Sequence, residues 1–262
     1  MHRSQLLFAA AVLFCLPENA LAQSSPRIIH VFVALADNQH QGIIPVPAAL
    51  GNGDDPARNL YWGAAFGVRT FFRKSPDWQE IAVIPSPTSA ILERVVFRHR
   101  ETGTLLVADA YRGSEIRQAM TDFFLAAAGL QPPEPLYTSA LGKEKLQVPA
   151  NASLVVYVGH DGLMDFPLPL DFAGRKQASR EAIILACASK AYFSALLRSS
   201  GAQPLLWTTG LMAPEAYTLK AATDGWIAKE TKEQIHERAA FAYAKYQKCG
   251  MSAAKRLFST SW

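Results

Sequence analysis

Apolar residues occur along the chain in short runs that are separated by polar segments rich in Gly and Pro. Near-continuous apolar runs are typical of strands buried on both faces, and they occur at 27–35, 154–158, 182–186 and 204–208. Three shorter apolar segments predict further strands at 81–84, 91–98 and 104–108. The last two are predicted to form a hairpin around Gly103.

Helical periodicity lies between these runs. It predicts helices at 55–73, at 114–128, at 190–200 with Ser189 as the cap, from Pro214 onward, at 231–248, and in a short terminal segment. Strands that alternate with helices predict an α/β fold with a mostly parallel central sheet and helices on both faces. The aperiodic segment 39–55 predicts a lid or binding loop, and 131–150 is interpreted as a connection within one domain.

The first 22 residues have the layout of a cleaved secretory signal. Arg3 precedes an apolar run from Leu6 to Leu16, and Ala20-Leu21-Ala22 resembles a cleavage site. The run is short for a spanning helix, so a permanent anchor is the less favoured alternative. We expect a periplasmic or secreted protein with a single α/β domain over residues 23–262.

Composition restricts the partners. Half of the 262 residues are apolar and 18% are charged, which excludes intrinsic disorder. The net charge of +4 is small and scattered, so no nucleic-acid partner is expected. We expect no stable membrane insertion after leader removal, no cofactor, and no metal site.

Two strand ends carry residues with catalytic chemistry. His160 follows the strand at 154–158, and Cys187 follows the strand at 182–186. The carboxyl ends of parallel strands meet at one edge of a sheet, where ligands bind, and strands consecutive in sequence are usually neighbours. A thiol beside an imidazole is the minimum for cysteine nucleophilic catalysis, and the start of the following helix favours the thiolate.

An oxyanion hole is predicted from two backbone donors. Gly162 leaves its N–H approachable beside His160, and the N–H of Cys187 itself is the second donor. The alternative is an apolar pocket that holds an inert His and an inert Cys.

A strand ending in His and Gly, followed by a strand ending in Ala186-Cys187-Ala188-Ser189, resembles the caspase, legumain and gingipain superfamily of cysteine peptidases, clan CD. The resemblance implies a caspase-like three-layer sandwich, a dyad of Cys187 and His160, and metal-free cleavage of peptides or proteins after one preferred side chain. The chain departs from the family pattern where Asp161 separates His160 from Gly162, and in the short interval between His160 and Cys187.

Further residues are assigned to the same sheet edge. Asp37 or Asn38, at the end of the first strand, is predicted to accept the second imidazole N–H and set its tautomer, or simply to begin the loop. An Asn occupies a comparable place in legumain-like proteins, and Asn38 resembles it. Candidate substrate contacts are Asp161, Thr208, Thr209, Glu215 and His40.

Two alternatives remain open at this point. A caspase-fold protein without turnover would act as a periplasmic binding or interaction module for a peptide or glycan. Cys187 and Cys249 are the two thiols left after leader removal, and an exported protein can pair such thiols in a structural disulfide. The helical spacing around Cys249 instead predicts a small core residue.

Overall fold

A computed structural model describes residues 26–136, 146–148, 150–172 and 180–262, so the predicted leader lies outside the described residues. The strands are β1 (Ile28–Ala34), β2 (Trp78–Pro85), β3 (Ile91–His99), β4 (Leu105–Tyr111), β5 (Glu134–Leu136), β6 (Leu146–Val148), β7 (Ala152–Val158), β8 (Glu181–Leu185), β9 (Gln203–Thr208) and β10 (Phe258–Ser259). The helices are α1 (Val68–Lys74), α2 (Ile116–Ala127), α3 (Ser189–Ser200), α4 (Ala216–Ile227), α5 (Lys232–Gln247) and α6 (Met251–Leu257).

The central feature is an eight-stranded mixed sheet in the order β10-β9-β8-β7-β1-β4-β3-β2. Strands β9, β8, β7, β1 and β4 run parallel, whereas β3, β2 and β10 pair antiparallel to their neighbours. The predicted α/β class with a mostly parallel sheet is therefore confirmed. The expected neighbours are confirmed too, since β7 lies between β1 and β8.

Helices cover both faces because strand residues alternate in direction. On β1, Ile29, Val31 and Val33 pack into the apolar cluster that includes residues of α1, α4, α5 and α6. Ile28 and Phe32 pack into the cluster that includes α2 and α3. Strands buried from both sides explain the near-continuous apolar runs of the sequence.

The segment that precedes α1 differs from the prediction. A helix over 55–73 was expected from Asp55-Pro56, but only Val68–Lys74 is helical, and turns occupy the rest. Two close backbone contacts explain the difference, because a Cβ on Gly63 or Gly67 would lie 2.1 Å from the Ala57 carbonyl oxygen or 2.3 Å from that of Trp62. A continuous helix would not bring these backbones together.

Asn59 holds this turn segment against the end of β1. Its buried amide accepts from the Ala36 and Tyr61 N–H groups at 3.0 and 3.1 Å. It donates to the carbonyl oxygens of Ala36 and Asn52 at 2.8 and 3.0 Å. One side chain thus joins the sheet edge to both parts of the long loop.

Short elements escaped the prediction as well. Strands β5 and β6 form a separate antiparallel pair within the 131–150 connection, and β10 adds a two-residue edge strand. Elements of two or three residues contain too few positions to display periodicity. Among the described residues, no helix is both long enough and apolar enough to cross a membrane.

Replacement of Asn59 by Ala is expected to lower the free energy of unfolding by about 2–4 kcal/mol, because the backbone groups it satisfies become buried without partners. Urea denaturation of Asn59→Ala measures the change. Asn52→Ala is the matched control, since its side chain is exposed and accepts only from the Asp54 N–H. Equal stabilities of the two variants would contradict the anchoring role.

Candidate functional site

The register of β7 and β8 brings His160 and Cys187 to equivalent positions at the carboxyl edge of the sheet. The last paired residues are Val158 and Leu185, and the Gly159 N–H continues the ladder by donating to the Leu185 carbonyl oxygen at 3.2 Å. His160 and Cys187 each stand two residues beyond that pair. Neighbouring strands are about 4.8 Å apart, so the two residues leave the sheet at the same level of adjacent strands.

His160 and Cys187 line one cavity of about 290 Å³. The remaining lining comes from three further parts of the chain: Gly42, Ile43, Ile44 and Val46; Leu60 and Tyr61; and Met164 with Leu211, Met212, Ala213 and Pro214. The prediction that the long loop after β1 contributes a binding wall agrees with this lining. The cavity therefore brings together a thiol, an imidazole and a largely apolar surface.

Cys187 lies in a sharp turn between β8 and α3. The next residue, Ala188, has φ of 46° and is the N-cap of α3. The left-handed conformation costs a residue with a Cβ roughly 1–2 kcal/mol, and such strain is concentrated at functional sites. The turn places Cys187 in the cavity lining, two residues before the first residue of α3 and its positive N-terminal end.

The prediction that Ser189 caps α3 is wrong, because Ser189 is the first helical residue and is fully buried. Its hydroxyl donates to the Ile184 carbonyl oxygen at 3.0 Å. Its N–H donates to the Thr208 hydroxyl at 3.2 Å, so a neighbouring strand satisfies the start of the helix. Ser189 and Thr208 thereby tie the Cys187 turn to β9.

The Cys187 thiol is half-buried and contacts the backbone of Met212. The Met212 N–H approaches Sγ at 3.4 Å, and Sγ lies 3.6 Å from the Met212 carbonyl oxygen. Both Cys187 and Cys249 are free, so the structure has no bridge between them. Cys249 is exposed after the end of α5, which corrects its interpretation as a core residue.

His160 is oriented by residues on both sides. Its Nε2 lies 2.6 Å from Asp165 Oδ2, and the Tyr157 hydroxyl donates to the His160 carbonyl oxygen at 2.8 Å. Gly159 precedes it with φ of 150°, where a Cβ would lie 2.9 Å from the Ala34 carbonyl oxygen. With Nε2 bound to Asp165, Nδ1 is the ring nitrogen that stays outside this contact.

The prediction that Asp37 or Asn38 orients His160 is wrong, because Asp165 holds that position. Asp37 accepts from the backbone N–H groups of Gln39 and His40 and from His40 Nδ1 at 2.9 Å. Asn38 exchanges two hydrogen bonds with the Val46 backbone, at 2.8 and 3.1 Å. Both side chains are thus used to shape the loop that forms one cavity wall.

Gly162 is not available as an oxyanion donor. Its N–H donates to the His160 carbonyl oxygen at 3.1 Å inside a tight turn, and Gly162 packs against Phe166 and Met120. The Asp161 side chain points into the same turn, where Oδ1 accepts from the Leu163 N–H at 3.0 Å. The residue inserted between His160 and Gly162 therefore changes the expected donor geometry.

The five residues predicted to contact substrate lie away from the cavity lining. Thr208 is buried against Ser189, and Thr209 donates to the Arg256 carbonyl oxygen at 2.7 Å. Glu215 accepts from the Tyr217 hydroxyl and from Gln247 at 2.9 and 3.2 Å. Asp161 caps its turn and His40 pairs with Asp37, as described above.

The contacts of Asp165 with His160 and of Met212 with Cys187 were not predictable from the sequence. Asp165 lies five residues after His160, a spacing with no regular periodicity, and only the short 3₁₀ turn at Gly162–Met164 folds it back. Met212 acts through its backbone, so its side-chain type carries no signal.

No group of three or more His, Cys, Asp or Glu residues suited to a metal ion occurs in the part of the chain that the structure describes. Comparisons with protein-family models, with curated proteins and with solved structures found no match to this chain.

Asp161 makes the free energy of unfolding of the protein depend on pH. Burial, with the Asp165 charge as a smaller contribution, raises its pKa from 3.8 to about 7 against the lowering effect of backbone N–H groups, and its Oδ2 has no partner. Between pH 4 and 7 the folded protein keeps a proton that the unfolded chain releases. Stability is therefore lost as the pH rises through this window, by about 1.4 kcal/mol per pH unit.

We expect the free energy of unfolding of Asp161→Asn, relative to that of the wild type, to be about 2–3 kcal/mol higher at pH 8 than at pH 5. The reason is that the wild-type carboxyl ionises over this range and the amide does not. Urea denaturation at the two pH values measures this difference. Glu101→Gln, an exposed carboxyl in the β3–β4 hairpin, is the control and should show no such gain. A variant difference that is the same at both pH values would contradict the assignment.

Proposed function

We propose that this chain is an exported cysteine endopeptidase that hydrolyses peptide bonds with Cys187 and His160. The observation that carries the proposal is the shared cavity: a half-buried thiol and an imidazole from adjacent parallel strands open into the same space. The two strand-end motifs and the helix-flanked sheet support a caspase-like sandwich as the framework. Function of this kind requires neither a metal nor an organic cofactor.

Catalysis would proceed in two balanced steps. His160 Nδ1 takes the thiol proton, the sulfur attacks the peptide carbonyl carbon, and the C–N bond breaks as the leaving amine takes that proton from His160. A thioester then joins the acyl part of the substrate to Cys187. Water attacks the thioester, its proton passes through His160 to the sulfur, and a carboxylic acid leaves.

The surrounding residues support this chemistry in distinct ways. Asp165 is a positioning residue, since its carboxylate fixes the imidazole and stabilises the charge that forms on it. The Cys187 N–H, in the turn before α3, remains as the oxyanion donor, because the Gly162 N–H is already bound to the His160 carbonyl oxygen. The Tyr157 hydroxyl holds the His160 backbone by donating to its carbonyl oxygen.

Cleavage of a pooled peptide library by the mature protein under reducing conditions tests the proposal. Cys187→Ala is expected to lower the rate at least about 10³-fold, since the nucleophile is removed. Cys249→Ala is the matched control and should retain activity, because this exposed thiol does not line the cavity. No cleavage by the wild type, or equal cleavage by Cys187→Ala, would contradict the proposed peptidase activity.

A non-catalytic binding module is the second candidate. The observation in its favour is the engagement of the Gly162 N–H, which removes one of the two expected oxyanion donors. A binder would hold a peptide or glycan in the same cavity without turnover. Alkylation separates the two candidates, because a catalytic Cys187 reacts with iodoacetamide at pH 6 much faster than Cys249, whereas an inert Cys187 reacts more slowly than that exposed thiol.

Asp165→Asn is expected to lower kcat by about 10–100-fold with a smaller change in KM, because the carboxylate fixes the imidazole directly and also accepts from the Gly42 N–H of the cavity wall, a bond that an amide oxygen can keep. Asp165→Glu should recover part of the loss. Asp54→Asn, a more exposed Asp paired with Arg112, is the control. Steady-state kinetics on one fluorogenic peptide provide the measurement, and an effect confined to KM would contradict the positioning role.

A further inference from the structure

We propose that the cavity beside Cys187 takes a large apolar side chain, so that the protein cleaves after residues of the leucine, methionine or phenylalanine type. As a statement about cleavage, this inference rests on the proposed peptidase function. Binding of an apolar side chain in this cavity, without cleavage, depends only on the chemistry of the lining.

The lining is almost entirely apolar. Ile43, Val46, Leu60, Met164, Leu211 and Met212 supply most of its aliphatic and thioether surface. His160 is the one lining residue with a basic side chain, and the lining contains no Asp, Glu, Lys or Arg. A cavity of about 290 Å³ lies at the small end of ligand pockets and accommodates one large side chain.

The mouth of the cavity extends the apolar surface toward solvent. Ile44 is 83% exposed, Leu211 70% and Met164 43%, although all three are large apolar residues. They come from three separate parts of the chain and meet at one opening. Clustered exposed apolar residues mark binding surfaces, whereas single ones need no explanation.

No Asp or Glu belongs to the lining, and Asp161, which follows His160, caps its own turn although its Oδ2 has no partner. Asp165 binds His160 and the Gly42 N–H, Asp37 binds His40, and Glu215 binds Tyr217 and Gln247. A charged substrate side chain would therefore be buried without a counter-ion, which is costly. An apolar side chain gains roughly 1.5–3 kcal/mol from the same burial.

The cavity is built before any substrate arrives. The Asn38 side chain makes two hydrogen bonds with the Val46 backbone, and the Gly42 N–H donates to Asp165 Oδ2 at 3.2 Å. The loop wall is thus tied to the segment that follows β1 and to the His160 turn. On the opposite side, Met212 is held by Cys187, and the Ala213 N–H donates to the Tyr243 hydroxyl at 3.1 Å. Preformed walls select a side chain by shape and polarity.

A set of fluorogenic tetrapeptides that differ only in the residue before the scissile bond tests the specificity. We expect kcat/KM for Leu and Phe to exceed that for Asp and Arg by at least about 100-fold. A preference for Asp, Asn, Arg or Lys would overturn the inference while the peptidase function stands.

A rim variant tests the location of the specificity. Leu211→Arg introduces a positive charge at an exposed position and is expected to lower kcat/KM for the Leu peptide about tenfold and to raise it for the Asp peptide. Phe241→Arg is the matched control, because Phe241 is 66% exposed on α5 and does not line the cavity. Equal effects of the two variants would show that this cavity does not determine the substrate specificity.

Binding to Cys187→Ala separates the inference from catalysis. Fluorescence polarisation with the same labelled peptides should show tighter binding of the Leu and Phe peptides than of the Asp and Arg peptides. If the wild type cleaves none of the peptides but this order holds, the peptidase proposal fails and the apolar site remains. Equal or reversed affinities would overturn the inference whatever the activity.

Discussion

The parallel pairing of β7 with β8 is the constraint on which the site depends. Val158 and Leu185 end the paired ladder together, so the next residues of both strands leave the sheet at the same level. A slip of one residue would turn His160 or Cys187 toward the opposite face. Burial of both strands on both faces prevents such a slip, because every position of Leu154–Val158 is fully enclosed. The placement of His160 and Cys187 is thus a consequence of core packing.

The central strands were predictable because burial on two faces leaves a strong mark in sequence. β1, β7, β8 and β9 were all recognised as apolar runs, and the order β1-β7-β8 followed from the usual behaviour of consecutive parallel strands. The segment before α1 was not predictable in the same way, because its conformation depends on tertiary contacts of Asn59 and Gly67. Local helix signals at Asp55-Pro56 were overruled by those contacts.

The candidate site was predictable only in part, for a related reason. The positions of His160 and Cys187 follow from strand register, which sequence patterns describe well. The partner of His160 depends on a five-residue turn that folds Asp165 back onto the ring, and Asn38 turned out to shape the loop instead. Backbone groups such as the Met212 N–H and the engaged Gly162 N–H leave no trace in residue type. Turn geometry therefore sets the limit of prediction at this edge of the sheet.

The two-residue strand β10 covers the edge of β9, where another copy of the chain could otherwise pair. It pairs with Thr208 and Trp207 of β9, Trp207 Nε1 donates to the Ser261 carbonyl oxygen at 3.0 Å, and the Trp262 ring packs edge-on against Trp207 at 5.3 Å. Unpaired strand edges template intermolecular pairing. Residues 258–262 thus act as a cover for the rim of the sheet, and a fusion that pulls them away would expose a hydrogen-bonding surface open to aggregation.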